Sequence, residues 1–193
     1  MKVLIIDEEA SERKKVEDSV KRVEPDAKVV GVSDIEEAFE VLKKKREKNV
    51  RIKTFGEFMV FVGDRPVEFR YSKALELFAL IVDRRGKPVG NGVIRNYLWP
   101  ESDQRTDHSS YISTLKKEVR QVFTSYGAGG IIRQNGQAIS IIPDMVECDF
   151  YDFINAKETA SDFGGRYMEQ YSWAEPTVGL LYSISQFRNS TLQ

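Results

Sequence analysis

The apolar residues between positions 50 and 142 change their spacing twice, and this change limits the folds that the segment can adopt. Through residues 52–69 apolar and polar residues roughly alternate, which indicates short antiparallel strands. From Ser72 onward the apolar residues recur every three or four positions, as in amphipathic helices. Two β-rich runs then surround Asn135-Gly136, a pair typical of tight hairpin turns. The segment is therefore predicted to order its elements as sheet, helices and hairpin.

Three helices are predicted in the middle of this segment. The first begins at Ser72 and ends before Gly86 and Pro88, the second covers Gly92 to Leu98, and the third covers about 107–124. A sheet, three helices and a terminal hairpin make a winged helix-turn-helix. The expected fold class is α+β, with this domain over residues 50–143.

The third helix carries the candidate binding surface. A helix that enters the major groove needs short or hydrogen-bonding side chains near its start and cations further along. At 100° per residue, residues of both kinds lie opposite or beside the apolar stripe. With the hairpin tip, the candidate DNA-binding residues are Ser110, Ser113, Thr114, Lys116, Lys117, Arg120, Arg133 and Gln137. The alternative is an ordinary solvated face, since every surface helix is polar opposite its apolar stripe.

The overall net charge of -1 conceals an uneven distribution along the chain. Residues 51–142 carry 14 basic and 9 acidic side chains, whereas residues 143–193 carry 3 basic and 8 acidic ones. A basic segment next to an acidic one indicates that the basic part meets a polyanion. Double-stranded DNA is therefore the expected partner of the middle segment.

Several other classes of function are disfavoured by what the chain contains. With one cysteine, Cys148, and one histidine, His108, it can build neither an internal disulfide nor a Cys/His zinc cluster. Catalysis by a Cys–His or Ser–His pair would need His108, which has no evident partner, so neither an enzyme nor a cofactor is expected. No apolar run approaches the ~20 residues of a membrane span, so we expect a cytoplasmic protein with no membrane partner.

The flanking segments are less complete. Residues 1–48 have the pattern of a β-α-β-α segment with two parallel strands, and Asp7 and Glu8 follow the first strand. These two carboxylates are weak candidates for a metal site, and the alternative is that they are ordinary acidic residues at a helix start. Residues 146–193 are predicted to be a short helical segment with frayed last residues. Its aromatic side chains are expected to pack on the winged helix or on another chain.

Three stretches of the middle segment resemble a known family: Lys73 to Gly86, Val93 to Pro100 and Tyr111 to Val119. They are similar to the effector domain of OmpR/PhoB-type response regulators, and most of all to the SARP (Streptomyces antibiotic regulatory protein) branch. The resemblance implies sequence-specific DNA binding and transcription regulation, with the helix around 107–124 in the major groove and a wing at 131–142. Ser and Thr stand where many members have Arg, so fewer bidentate guanine contacts are expected.

The flanks resemble the neighbouring domains of the same regulators. Residues 1–48 are similar to the start of a receiver domain, and residues 146–193 to the start of a bacterial transcriptional activation domain. A receiver of a two-component phosphorelay has about five strands, so a chain with two lacks an assignable phosphoacceptor and should act without phosphorylation. DNA is the implied partner, and a homodimer and RNA polymerase are left open. The alternative is a protein-interaction or dimerisation module of winged-helix fold that does not bind DNA.

Overall fold

The structure of the chain, a computed structural model, describes residues 2–38, 50–100, 107–157 and 160–191. The chain forms two compact units, Met1–Glu47 and Lys48–Gln193. Both contain helices and strands, so the chain has a mixed α/β fold. Across the described ranges, no helix combines the length and the apolar character needed to cross a bilayer.

The N-terminal unit contains two parallel strands joined by a helix. Strand β1 (Lys2–Ile6) pairs with β2 (Lys28–Val32), and α1 (Ala10–Val23) connects them. A further helical segment begins at residue 35, where the Asp34 carboxylate accepts a hydrogen bond from the Glu37 amide at 2.7 Å. The part of this predicted helix beyond residue 38 lies outside the described residues. The described part follows the β-α-β-α order that the sequence indicates.

The C-terminal unit begins with a four-stranded sheet that consists of β3 (Val50–Lys53), β4 (Met59–Val62), β5 (Arg65–Pro66) and β8 (Val146–Cys148). The strands lie in the order β5-β4-β3-β8. The first three are antiparallel, and β8 lies parallel to β3. The alternating pattern of residues 52–69 predicts a strand that reaches residue 69, which is wrong, because β5 has only two residues and ends at Pro66. The sequence pattern predicts that residues 146–148 belong to the helical segment 146–193, whereas in the structure they form the edge strand of this sheet.

Three helices and a hairpin pack on the sheet. They are α2 (Ser72–Asp83), α3 (Asn91–Leu98), α4 (Ser109–Ser125), β6 (Ile132–Asn135) and β7 (Ala138–Ile141). Short 3-10 turns at Gly129–Ile131 and Pro143–Met145 flank the hairpin. Helices α2 and α4 meet at the rings of Phe78 and Phe123, which are fully buried and whose centroids lie 4.6 Å apart. Burial of these apolar stripes fixes which face of each helix points outward.

The hairpin turn is displaced by one residue from its predicted position. Asn135 pairs with Ala138 as the last pair of the ladder, so the two loop residues are Gly136 and Gln137. Gly136 has a φ of 56°, and neither Asn135 nor Gln137 has a positive φ. A turn with Gly at its first central position needs a positive φ only there. The prediction that Asn135 and Gly136 are the two loop residues is therefore wrong.

The chain after β8 folds back onto the same core. It forms α5 (Asp149–Ile154), a 3-10 turn (Ser172–Ala174) and α6 (Glu175–Thr191). Tyr167 and Met168 are buried, and the Met168 amide donates to the Thr54 carbonyl at 2.8 Å. The sequence leaves open whether the aromatic side chains of this segment pack on the preceding domain or on another chain, and the structure shows packing on the preceding domain. Residues 183–191, which are part of the predicted frayed end, lie in α6, and residues 192–193 lie outside the described residues.

One carboxylate joins the end of β3 to the start of α5. Asp149 accepts hydrogen bonds from the Thr54 amide at 2.9 Å, the Thr54 hydroxyl at 2.6 Å and the Phe55 amide at 3.1 Å. The amide of Phe150 also donates to it, at 2.8 Å. Thr54 is fully buried, so its amide and hydroxyl have no access to water in place of the carboxylate.

Candidate nucleic-acid interface

Helix α4 presents one face to the core and the opposite face to solvent. Its buried stripe consists of Ile112, Leu115, Val119 and Phe123, none of which is measurably exposed. On the other side, four of the predicted binding residues are exposed: Ser110, Ser113, Thr114 and Lys117. The helical period therefore places these four side chains where a ligand can reach them.

The start of α4 is held by two contacts. The Asp107 carboxylate accepts a hydrogen bond from the Ser109 amide at 2.8 Å. Hydrogen bonds from the hydroxyl and the amide of Ser109 lower the pKa of Asp107, so this carboxylate is ionised at the positive end of the helix dipole. The His108 ring stacks on Trp99, with centroids 4.3 Å apart and an interplanar angle of 4°. The start of α4 is thereby fixed against the residue that ends α3.

A groove of about 760 Å³ lies between the start of α3, the exposed face of α4 and the hairpin tip. Its lining residues are Asn91, Gly92, Arg95, Ser109, Ser113, Lys116, Lys117, Arg120, Gln134, Gly136 and Gln137. Four of these carry a positive charge, and none of these described lining residues is acidic. A concave surface lined by one sign of charge focuses its field, so this groove attracts anions.

Helix α4 also contains a carboxylate, and that carboxylate is engaged away from the groove. The Glu118 side chain accepts a hydrogen bond from the Arg70 amide at 3.0 Å, and Glu118 is not part of the groove lining. The contact joins α4 to the loop before α2. It holds the carboxylate of Glu118 outside the groove lining.

Lys116, a candidate DNA contact that is predicted to lie beside the apolar stripe of α4, is buried in the structure. Lys116 is only 4% exposed, and its ammonium donates to the side-chain oxygen of Asn91 and to the carbonyl of Gln137. Burial lowers the pKa of this ammonium. The period of the helix puts residue 116 beside the apolar stripe, and the packed hairpin covers it. Lys116 therefore joins α3, α4 and the hairpin, and is a positioning residue.

The other predicted residues of the interface lie around the hairpin. Arg120 is exposed, and its guanidinium donates to the side chain of Gln134 at 3.3 Å. Arg133 and Gln137 are exposed on the hairpin, and Gln137 lines the groove. Arg120 and Lys116 thus connect α4 to the hairpin at two points, which sets the distance between the two surfaces that would meet a ligand.

Some residues of the groove were missed in the sequence. Asn91, Gly92 and Arg95 come from the start of α3, and Ser109 and Gln134 complete the lining. Arg95 follows Asn91 by four positions, so the spacing in the sequence predicts that these two residues share a face of the helix. Nothing local in the sequence indicated that this face meets the hairpin, because the contact joins residues about 40 positions apart.

Replacement of Lys116 by methionine tests its positioning role. Methionine fills a similar volume without a buried charge, so we expect the free energy of unfolding to change by less than about 1 kcal/mol. The hairpin then loses the hydrogen bond between the Gln137 carbonyl and the residue 116 side chain. Its backbone amides near Gln137 should exchange with solvent about tenfold faster. Hydrogen exchange read by mass spectrometry measures this. Lys117→Met is the matched control, and equal exchange in the two variants would show that Lys116 does not hold the hairpin.

The acidic residues that follow β1 are arranged around the start of α1. The Asp7 carboxylate accepts a hydrogen bond from the Glu9 amide at 2.8 Å. The Arg13 guanidinium donates to the main-chain carbonyls of Asp7 and Glu8. Within the part of the chain that the structure describes, no three His, Cys, Asp or Glu side chains are grouped so that they could hold a metal ion.

Comparison with solved structures shows a structural likeness to a known protein. No protein-family model matches the chain, and no curated protein matches it. The structure of Mycobacterium tuberculosis EmbR in complex with a low-affinity phosphopeptide is similar, with a TM-score of 0.59 and 17% sequence identity. The likeness covers 70% of this chain, and the chain spans 42% of the length of EmbR. At this identity the likeness shows a shared fold alone. Most of the chain therefore has a fold that is also found in part of EmbR.

Proposed function

We propose that the Lys48–Gln193 unit is a winged-helix transcription regulator that binds double-stranded DNA. In this proposal α4 enters the major groove, and the β6–β7 hairpin is the wing that lies on the adjacent backbone. The role is one of binding and not of catalysis. The observation that carries the proposal is the groove between α3, α4 and the hairpin, which has four cations and no acidic residue among its described lining.

The arrangement of side chains along α4 supports this role. Small hydroxyl residues occupy its first half and let the helix approach base edges closely, while Lys117 and Arg120 follow where phosphates would lie. Phosphate contacts position a protein on the duplex, and base contacts provide specificity. The separation of short and cationic side chains along one helix supplies both kinds of contact.

A rigid reading surface further favours the proposal. A DNA-binding module pays less conformational entropy when its helix and wing are already held at a fixed distance. Lys116 and Arg120 hold them in this way, and the resemblance of the sequence to SARP regulators supports the same arrangement. An interaction module without DNA binding would have no need for an anion-attracting groove at this position.

We further propose that the regulator acts without phosphorylation of its N-terminal unit. Asp7 is engaged at the start of α1, where its carboxylate accepts the Glu9 amide. The described part of the unit pairs two parallel strands, β1 and β2. The protein partners proposed for this regulator are a second copy of the chain, with which it would form a homodimer, and RNA polymerase.

Lys117→Ala tests the proposed function directly. Loss of one phosphate contact at an exposed position is expected to weaken binding to a mixed-sequence duplex about fivefold to tenfold at ~0.1 M salt. The control is Lys53→Ala, which removes the same charge from the exposed face of β3, away from the groove lining. Fluorescence anisotropy with a labelled duplex measures both. Equal affinity of the Lys117 variant and the wild type would count against α4 as the DNA-contacting element.

A further inference from the structure

The two hydroxyl side chains in the middle of the exposed face of α4 both point back to the helix. The Ser113 hydroxyl donates to the Ser109 carbonyl at 2.9 Å, and the Thr114 hydroxyl donates to the Ser110 carbonyl at 3.1 Å. A hydroxyl has one hydrogen to donate and two lone pairs that accept. Because each hydrogen is already donated within the helix, both hydroxyls meet an incoming ligand as acceptors.

The same hydrogen bond fixes the methyl group of Thr114. The rotation about χ1 of a helical threonine is restricted, and a bond from Oγ1 to the carbonyl four residues earlier selects one rotamer. Thr114 is exposed. With its hydroxyl held on the backbone, the γ-methyl is the apolar group that this side chain presents.

The first half of α4 has no arginine for bidentate guanine recognition. Arginine is the usual residue for that contact, and residues 109–117 contain none. Lys116 is buried against the hairpin, and Arg120 is held by Gln134. Lys117 is the exposed cation of this half of the helix, and the function proposed above assigns it to a phosphate. Acceptor oxygens and one methyl group are therefore the chemistry that remains for reading bases.

On the DNA-binding role proposed above, we propose that Ser113 and Thr114 determine specificity by reading amino groups and a thymine methyl. In the major groove adenine and cytosine present an amino donor, and thymine presents its 5-methyl group. The Thr114 methyl contacts that of a thymine, and the Ser113 hydroxyl accepts from an adenine or cytosine amino group. The recognised duplexes are those that place these two features side by side under the middle of α4.

The test begins with selection of bound sites from random duplexes by the full chain. Each thymine of the selected site is then replaced, one at a time, by uracil, which differs only in lacking the methyl group. We expect one thymine at which the replacement weakens binding about fourfold, the effect of one lost methyl contact. The remaining thymines serve as internal controls and should show no change.

Two conservative variants assign that sensitive thymine to Thr114. Thr114→Ser keeps the hydroxyl and removes the methyl, so uracil and thymine should bind it equally well. Thr114→Val keeps a methyl and removes the hydroxyl, so the sensitivity should persist. In a parallel selection, Ser113→Ala should lose the preference for adenine or cytosine at the neighbouring position.

The outcomes separate this inference from the proposed function. The inference that Ser113 and Thr114 recognise bases would be overturned if the chain bound duplex DNA with no uracil-sensitive thymine. It would also be overturned if Thr114→Ser kept the full sensitivity to uracil. Either result would leave the proposed DNA binding intact. Failure to bind any duplex at low salt would overturn the proposed function, and the reading mode with it.

Discussion

Asp149→Ala is expected to lower the free energy of unfolding of the chain by about 3 kcal/mol. The carboxylate accepts hydrogen bonds from the amides of Thr54, Phe55 and Phe150 and from the Thr54 hydroxyl. Alanine would leave these donors unsatisfied at a position where Thr54 is fully buried. An unsatisfied buried donor costs more than the net value of its hydrogen bond, which makes the expected loss large. Chemical denaturation of the full chain measures it.

Two further variants define the source of this loss. Asp149→Asn keeps the size and one acceptor oxygen, so we expect it to cost roughly half as much. Asp144→Ala removes an exposed carboxylate nearby in sequence and should change the unfolding free energy by less than about 0.5 kcal/mol. If Asp149→Ala were as stable as Asp144→Ala, the carboxylate would not be what joins β3 to α5.

The predicted helices of the middle segment correspond closely to α2, α3 and α4. Each has a buried stripe at helical spacing, such as Ile112, Leu115 and Val119, and each is bounded by Gly, Pro or a polar loop. Local periodicity is sufficient for such elements because burial of one face decides the structure. The same periodicity placed Ser110, Ser113, Thr114 and Lys117 correctly on the exposed face.

Features that depend on distant parts of the chain could not be predicted in this way. Strand β8 has three residues, and its pairing with β3 joins positions about 95 residues apart. The burial of Lys116 depends on the Gln137 carbonyl of the hairpin. Neither contact leaves a local pattern, because the partner residues are brought together only by the complete fold.

The shifted hairpin turn has a different cause. Both Asn135-Gly136 and Gly136-Gln137 are acceptable two-residue loops, since each provides a glycine for a positive φ. The choice between them depends on register, and a one-residue shift exchanges the two faces of a strand. In the observed register Ile139 and Ile141 are buried in the core. Packing of β7 therefore decides the turn, and the sequence of the turn alone does not.

The largest effect on DNA binding is expected from removal of three exposed cations together. Lys117, Arg120 and Arg133 lie on the exposed side of α4 and on the hairpin. Replacement of all three by alanine should weaken binding on the order of a few hundredfold at ~0.1 M salt, because each neutralised phosphate adds to the salt-dependent term. The effect should be nearly the same for every duplex sequence, since phosphate contacts carry no sequence information.

A matched triple variant controls for net charge. Replacement of Arg51, Lys53 and Arg65 by alanine removes the same charge from exposed positions of the sheet in the same unit. We expect this variant to bind within about threefold of the wild type, because distant exposed charges are screened at this salt concentration. Equal losses in the two triple variants would mean that total charge, and not the groove, drives the association.

The central claim is that this surface binds the phosphate backbone of duplex DNA, and the salt dependence of binding tests it most directly. The affinity of the wild-type chain for a mixed duplex is measured by anisotropy from roughly 50 to 200 mM NaCl and plotted as log K against log salt. We predict a slope of about -3 to -4, reduced in magnitude by about 2.7 in the variant that lacks Lys117, Arg120 and Arg133. No binding at the lowest salt, or a slope that the triple variant leaves unchanged, would contradict the claim.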